Sequence, residues 1–505
     1  MSQISVLPIV TIAINGLNLE SDEAIKVNAL TISQKLSLPA LAEITFLDPS
    51  EALINKINPV AEISLEITIA QEQIFSGIIT AVEYINQSSI GDVVRVRGYD
   101  CMYKLRKQQH IRSHTNASCE DILRELTESL GISIVATESG PVWPWIIQYH
   151  QSDLDFTTNV LERAGLFYQI EGRHINLFSL QGYGESVKMT RGKNLLEVII
   201  EHNGNKAYKT VSASGWNPFQ ITKHSAKVNS PRSGIDVKNI SCDGLCGNAD
   251  VLKCIGVSAY DEYHAEQLSQ AVFDRSYASR ITVEAASEGD LRLRPGKIIE
   301  LEGVHKNVEG KYVLTEVVHS INSEFGYICK LNTNPPEFHN NEPGPVALLG
   351  EVISVNDPEK MGRVKVIFPT CENVESDWLS VVITAGGEGK GLMALPDTGD
   401  NVLVLLINNE LTSGIVLGGL LGVKKKVRDW GVVDGAVKEF LFVTKGGQSV
   451  LLDDKNKRVR IQNSQGSYCE INPGRVILHS TADISIEAPG KNISIKGKSI
   501  DFEQV

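Results

Sequence analysis

No apolar stretch of this chain is long enough to cross a bilayer. The best candidate, NVLVLLINNELTSGIVLGGLLGV from residue 401, is interrupted by Asn408, Asn409 and Glu410, leaving too little on either side. The amino terminus, MSQISVLPIV, lacks the basic segment and apolar core of a secretory signal, so synthesis in the cytoplasm is expected, with export only as part of something larger. A basic surplus is missing too. The net charge is −13, with +2 on residues 423–440 and +2 on 441–505, which leaves −17 on residues 1–422. An acidic body of this kind argues against nucleic acid as a partner. Aromatic residues are scarce at 6%, while the 42 glycines suit a turn-rich β protein.

The eight cysteines are scattered and form no disulfide framework. Cys242, Cys246 and Cys254, with His264 as a fourth ligand, invite a zinc reading. Their spacing matches no common zinc module and His264 falls on a predicted helix, so reduced structural thiols are the expectation. Catalytic signatures are absent as well: there is no G-x-S-x-G elbow and no H-E-x-x-H helix. GGEGKGL resembles a phosphate-binding loop, but its first glycine is misplaced and Gly391 stands where a magnesium-binding hydroxyl belongs, so it reads as a glycine-rich barrel loop. Asp453 and Asp454, beside Lys455, read as a solvated hairpin. No catalytic residue, metal or cofactor is expected.

What is present is alternation. Residues 1–100 read as strands, with LPIVTIAINGLNL, AEISLEITIA, QIFSGIITAVEYI and GDVVRVRGYD alternating or β-branched. Two helices follow. One starts at Ser118 with Asp121 three residues on, carries Ile122, Leu123, Leu126 and Leu130 on one face, and stops at Gly131; the other runs from Ser152 and Asp155 to Gly165. A third is predicted to start at Ser258, with Asp261 three residues on. The aperiodic, Pro- and Asn-rich stretch from 332 to 346 is a linker. From Leu349 to Leu421 about five strands would close into a barrel of the oligonucleotide/oligosaccharide-binding (OB) type. A solvated basic joint, GVKKKVRDW, leads to the tail.

The tail poses a packing problem. Strand pairs recur at Val450/Leu452, Val459/Ile461, Cys469/Ile471, Val476/Leu478, Ile484/Ile486, Ile493/Ile495 and Ile500/Phe502, with turn residues between most of them. One copy has a thin apolar row and open edges, and such sheets are marginal alone. A single-chain solenoid would need more coils than seven short strands allow. Three copies about one axis bring the rows together and pair the edges. The trimer core is therefore expected at Val459, Ile461, Val476, Leu478, Ile484, Ile486, Ile493, Ile495, Ile500 and Phe502.

The barrel segment resembles the OB domain of baseplate spike proteins from contractile phage tails and related injection machines, called VgrG in type VI secretion. The matching residues are Asn356, Asp357 and Pro358, then Gly362 and Arg363, Trp378 opening the third strand, Gly391 before Pro396, Gly399 with Asp400, and Gly418 at the end. SDLDFTTNVLERAGLFYQIEGRHINLF, FSGIITAVEY and LRPGKIIELEGV with GKYVLTEVVHSI are similar to the hub domain of the same family.

The resemblance implies a mainly β protein with a few helices: an α+β hub of tandem β-barrels at 1–345, an OB domain at 346–422, a linker at 423–440 and a trimeric β-helix spike at 441–505. It implies a homotrimer that seats a hexameric tail tube protein, joins baseplate proteins, meets a target membrane transiently and binds a PAAR-type tip protein through Ile500, Phe502 and Val505. The tail lacks the valine-glycine repeats of many VgrG needles, a lysozyme domain and a histidine-rich tip, so the compact spike of an extracellular phage-tail-like particle is the best match. A type VI VgrG or phage tail spike is the alternative. A carbohydrate-active β-helix enzyme would need a longer solenoid, and a sugar- or oligonucleotide-binding OB protein would need more barrel aromatics than Phe368 and Trp378.

Overall fold

The strand pattern of the first hundred residues is realised as Val10–Ile14, Val27–Lys35, Leu41–Leu47, Ser64–Ile69, Glu72–Gln87 and Gly91–Asp100. The computed structural model describes residues 8–59, 61–87, 91–205, 207–217, 222–238, 251–255, 261–337, 345–407, 411, 414–421 and 431–503. It contains two units, residues 1–420 and 421–505.

In the first unit these strands and the short Leu17–Asn18 join four from later in the chain, Leu195–His202, Ile281–Glu288, Glu316–Asn322 and Gly326–Asn332, in one eleven-stranded sheet. The halves meet where Val27–Lys35 pairs antiparallel with Glu316–Asn322, Lys35 opposite Glu316 and Ala29 opposite Asn322. One face buries Ile32, Ile44, Phe46, Leu65, Val283 and Val317 in a core common to both halves. The tandem barrels expected for the hub thus share one continuous run of strand pairing.

Between the halves lies a smaller helical layer. Helix Cys119–Thr127 has the expected capping box: the Asp121 N–H donates to Ser118 Oγ at 3.2 Å, and the Ser118 N–H donates to Asp121 Oδ2 at 3.0 Å. Helix Asp153–Ala164 is capped by Ser152 and ends at Gly165, whose φ of 71° is the left-handed conformation glycine adopts without a Cβ penalty. The third helix corrects the sequence reading. It runs Glu262–Ala278, and Asp261 is itself the cap, its carboxylate accepting from the His264 N–H at 2.8 Å, so the start lies one turn later than Ser258.

The OB sheet has six strands, Val346–Ser354, Lys365–Phe368, Val374–Glu375, Ser380–Val381, Asn401–Leu406 and Gly414–Leu420. Four of the expected strands stand where read; the third shrinks to Ser380–Val381, parallel to Ile415–Val416. Its core of Val352, Val366, Phe368, Val402 and Val404 takes in Ile147 of strand Val142–Gln148 and Tyr149 just after it, so the barrel is seated on the hub within the same unit.

Candidate functional site

The second unit is organised around five antiparallel strands in sequence order, Glu439–Val443, Ser449–Asp453, Arg458–Gln462, Tyr468–Asn472 and Arg475–His479. Alternation in each strand combines with the pairing register to align side chains across the sheet. One row is Phe440, Leu452, Val459, Ile471 and Val476, each directly opposite the next; the second is Phe442, Val450, Ile461, Cys469 and Leu478. Both rows lie on one face, and none of the described residues of the unit covers them. Val476 is 70% exposed, Leu478 63%, Ile461 57% and Phe440 57%.

The opposite face carries ion pairs together with Leu441, Leu451 and Ile477. Asp453 is buried, accepting from the Asn456 N–H at 3.0 Å and from Arg458 Nη2 at 2.9 Å, and these partners, Asn456 first, hold its carboxyl below the usual range. The solvated-hairpin reading of Asp453 is thereby corrected: the following turn folds back over it. Arg460 donates to Glu470 at 3.2 Å and lies over the Tyr468 ring, which stacks on His479. Ionic and stacking contacts run along one face, and the apolar face is left without cover among the described residues.

Beyond His479 the alternation continues without strands. Residues 480–503 carry Ile484, Ile486, Ile493, Ile495, Ile500 and Phe502 at exposures between 49% and 91%, and no strand forms there. The physical reason is that a strand exists only beside a hydrogen-bonding neighbour, and the single chain offers these segments none among the described residues. Val505, the last of the expected tip-binding residues, lies outside the described residues.

In the OB domain the family motif has a mechanical explanation. The Asp357 carboxylate accepts backbone N–H groups from Glu359, Met361 and Arg363 and a two-pronged pair from Arg363, Nη2 to Oδ1 at 2.7 Å and Nε to Oδ2 at 3.1 Å. Both residues are buried, and the Arg363 guanidinium, with these amides, holds the Asp357 carboxyl far below the usual range. Pro358 starts the turn that this carboxylate ties down, and Gly362, at φ 73°, ends it. Gly399 donates to the Val352 carbonyl at 2.8 Å, and Gly418 sits at the bulge where Leu403 and Val404 change partners. The Lys365 ammonium lies 5.5 Å from the Trp378 ring centre and 5.7 Å from that of Trp145. Gly391 lies in a hairpin, Thr384–Gly387 with Lys390–Leu392, and its stretch stays exposed up to the partly covered Pro396. These residues brace a barrel; they do not converge on a ligand.

Sequence reasoning did not single out the second face of the hub sheet. Glu43, Glu83, Arg95 and Arg97 stand together there, with Arg95 Nη1 3.1 Å from Glu83 Oε2, and Lys35 pairs with Glu316 at 2.9 Å where the halves join. The signal was the polar half of the same alternation that located the core.

Among the described residues no three His, Cys, Asp or Glu side chains gather to hold a metal ion. His264 is buried with Nδ1 2.7 Å from its own helix cap, Asp261, and Cys254 lies in strand Val251–Ile255; Cys242 and Cys246 lie outside the described residues.

Comparison with known proteins agrees with this anatomy. Residues 5–323 match the family model of the Alg8 N-terminal domain, and residues 348–421 match that of the type VI secretion system/phage-baseplate injector OB domain. No curated protein matches the chain. Among solved structures, the half-lidded Francisella PdpA-VgrG complex is similar over 94% of this chain and 88% of its own, with TM-score 0.57 at 10% identity. The E. coli c3393 protein, a component of the type VI secretion system, is similar over 81% and 99%, with TM-score 0.50 at 15% identity. The 43 kDa tail protein of prophage MuSo2 from Shewanella oneidensis is similar over 65% and 98%, with TM-score 0.51 at 11% identity. At such identities the likeness to these VgrG and tail proteins is one of fold.

Proposed function

This chain belongs to the family of the Alg8 N-terminal domain, and from its match to the injector OB domain over residues 348–421 we propose that it is the hub-and-spike protein at the tip of a contractile injection system. In this reading three copies share an axis. The hubs form a ring that seats the hexameric tail tube within the baseplate, the OB domains gather the chains, and the carboxyl-terminal units join as a needle driven through a target membrane. The role is mechanical and not enzymatic. Assembly takes place in the cytoplasm, into a particle that is afterwards released or anchored.

The observation that carries the proposal is the pair of uncovered apolar rows. A sheet with ion pairs along one face and the other lined by Phe, Leu, Val and Ile is half of a core. Full burial of a Val, Leu, Ile or Phe side chain from water is worth about 1.5–3 kcal/mol, and each half-exposed row residue gains part of that. Two further copies supply that cover symmetrically. They also supply hydrogen-bonding neighbours for the segments at 484–486, 493–495 and 500–502, which then pair between chains and not within one. The fold shared with a VgrG complex and with tail proteins points the same way. At the free end, Ile500 and Phe502 offer a small tip protein three equivalent apolar edges.

Thiol chemistry tests this. Cys469 stands in the second row between Ile461 and Leu478, so assembly should bury it on the axis. In the full chain Cys469 is expected to resist alkylation under native conditions and to react once Ile461→Asp has broken the needle. Equal reactivity in both would remove the support of the apolar rows.

A further inference from the structure

A small cleft lies where the large hub sheet meets the three-stranded sheet that contains strand Leu166–Glu171. Its floor is Gln34, on strand Val27–Lys35, and Asp100, the last residue of Gly91–Asp100. Gln73, Ser76 and Gly172 form an exposed rim, and Ile170 adds a wall from the smaller sheet. The cavity measures about 20 Å³, room for one group the size of water or ammonium.

The walls are held before anything enters. The Ser37 N–H donates to the Tyr168 carbonyl at 3.0 Å, and the Tyr168 N–H donates to Ser37 Oγ at 3.3 Å. Beside the rim, the buried Arg294 reaches Glu72 Oε1 at 3.1 Å and Glu171 Oε1 at 3.8 Å. Those two carboxylates belong to the residues next to Gln73 and Gly172, so one guanidinium ties both sides of the cleft together.

The floor offers acceptors. Gln34 is 2% exposed, and its Oε1 is buried with no hydrogen-bond partner among the described residues. An unmet buried acceptor carries a standing cost that a donor relieves. Asp100 is 4% exposed. Its Oδ2 accepts from the Ala40 N–H at 2.7 Å and its Oδ1 from the Met102 N–H at 3.0 Å, which leaves each oxygen a further lone pair. The ionisable groups that feel its charge are Arg106 on the helix that follows, Cys101 beside it, and Tyr168, whose hydroxyl is also buried without a partner among the described residues. Burial pushes the Asp100 carboxyl up to about 7, against the pull of the two amides and of Arg106.

The cleft thus sets a carboxylate short of positive charge beside an amide oxygen short of a donor. A water molecule meets the hydrogen bonds and leaves the charge unanswered. An ammonium group supplies three N–H donors and the charge together. A divalent cation fits poorly, because two side chains fall short of the oxygen-rich shell such ions take.

We propose that this cleft binds one primary ammonium group, held by Asp100 and Gln34 Oε1 and entering past Ser76. The group can come from a free amine or from the tip of a lysine side chain of another protein. The site is built by the hub alone and does not depend on the trimer. Binding needs the ionised carboxylate, while an alkylammonium such as that of lysine stays charged to about pH 10. Occupancy therefore rises as pH passes upward through about 7 and falls below it.

Hydrogen exchange of the full chain, read by mass spectrometry at the Ala40 and Met102 amides, tests the site. Methylammonium chloride at pH 8 is compared with sodium chloride at equal ionic strength. Exchange is expected to slow saturably, by about tenfold at ten times the dissociation constant, and the slowing should shrink at pH 6. Tetramethylammonium, which has no N–H, should do nothing. N-acetyl-lysine amide separates the two sources: a response to it as well admits a lysine side chain, and a response to methylammonium alone confines the site to free amines. Asp100→Asn should abolish the response. Ser76→Lys, a change on the exposed rim that leaves the floor intact, should slow the same two amides with no amine added. No slowing by either amine at pH 8, or equal slowing by sodium or tetramethylammonium, overturns the site, as does a response that survives Asp100→Asn.

Discussion

Val459 and Ile471 stand directly opposite each other on adjacent strands, in an apolar row on the uncovered face of their sheet, 39% and 51% exposed. Cross-strand apolar pairs stabilise a sheet when a second layer lies over them. Among the described residues the chain itself supplies no second layer.

Ile486→Asp and Ile495→Asp are expected to abolish the needle while leaving the folded chain intact. Both side chains are exposed in one copy, at 66% and 63%, so the carboxylate costs nothing until assembly buries it. Three unpaired carboxylates on an apolar axis cost several kcal/mol per copy. Circular dichroism should match the unaltered chain while sedimentation shows loss of the trimer; an unchanged assembly would mean these residues face outward.

Removing residues 498–505 takes away Ile500 and Phe502 and is expected to abolish binding of the tip protein, with the trimer preserved. A pull-down with the truncated and full chains side by side checks this, and equal recovery of the tip protein would place its site elsewhere.

The Asp357–Arg363 pair should brace the OB domain. Asp357→Asn leaves Arg363 buried without its carboxylate, and breaking a buried pair from one side costs about 3–5 kcal/mol. Because the folded pKa of Asp357 is depressed, the stabilisation is complete above the ordinary aspartate value of about 4 and fades as acid titrates the carboxylate below it. Denaturant melts from neutral pH downward should show the unaltered chain converging on the variant in acid.

His319 is expected to set a second pH dependence, in the hub. Its ring lies buried between the Tyr327 hydroxyl at 2.9 Å and the Leu293 carbonyl at 3.1 Å, and burial pushes its pKa down to about 3. The unfolded chain takes up this proton near pH 6.5 and the folded chain does not, so stability is full above that value and falls in acid by about 1.4 kcal/mol per pH unit. His319→Gln should flatten the slope between pH 6 and 4; an unchanged slope would assign it to other groups.

Local patterns carried much of this structure. Ser118 with Asp121, and Ser152 with Gly165, mark helix ends because caps are satisfied within a few residues. The pairs from Val450/Leu452 to Val476/Leu478 were legible because alternation and short turns set the register of a meander. Pairing between Val27–Lys35 and Glu316–Asn322 was not legible, since no local signal joins strands so far apart in sequence. Asp453 misled because a carboxylate beside a turn looks solvated until the turn closes over it. The first strand of the carboxyl-terminal sheet begins at Glu439, within the stretch read as linker, because valines and a turn there alternate too briefly to stand out. The charged hub face passed unnoticed for a different reason: polar residues at outward positions look like an ordinary solvated surface.

The central claim is that the exposed rows of one chain are covered by two others. The direct measurement is the solution mass of the purified full-length chain by light scattering at micromolar concentration. The account predicts three times the 55.2 kDa of one chain, and a mass of 55.2 kDa would contradict it.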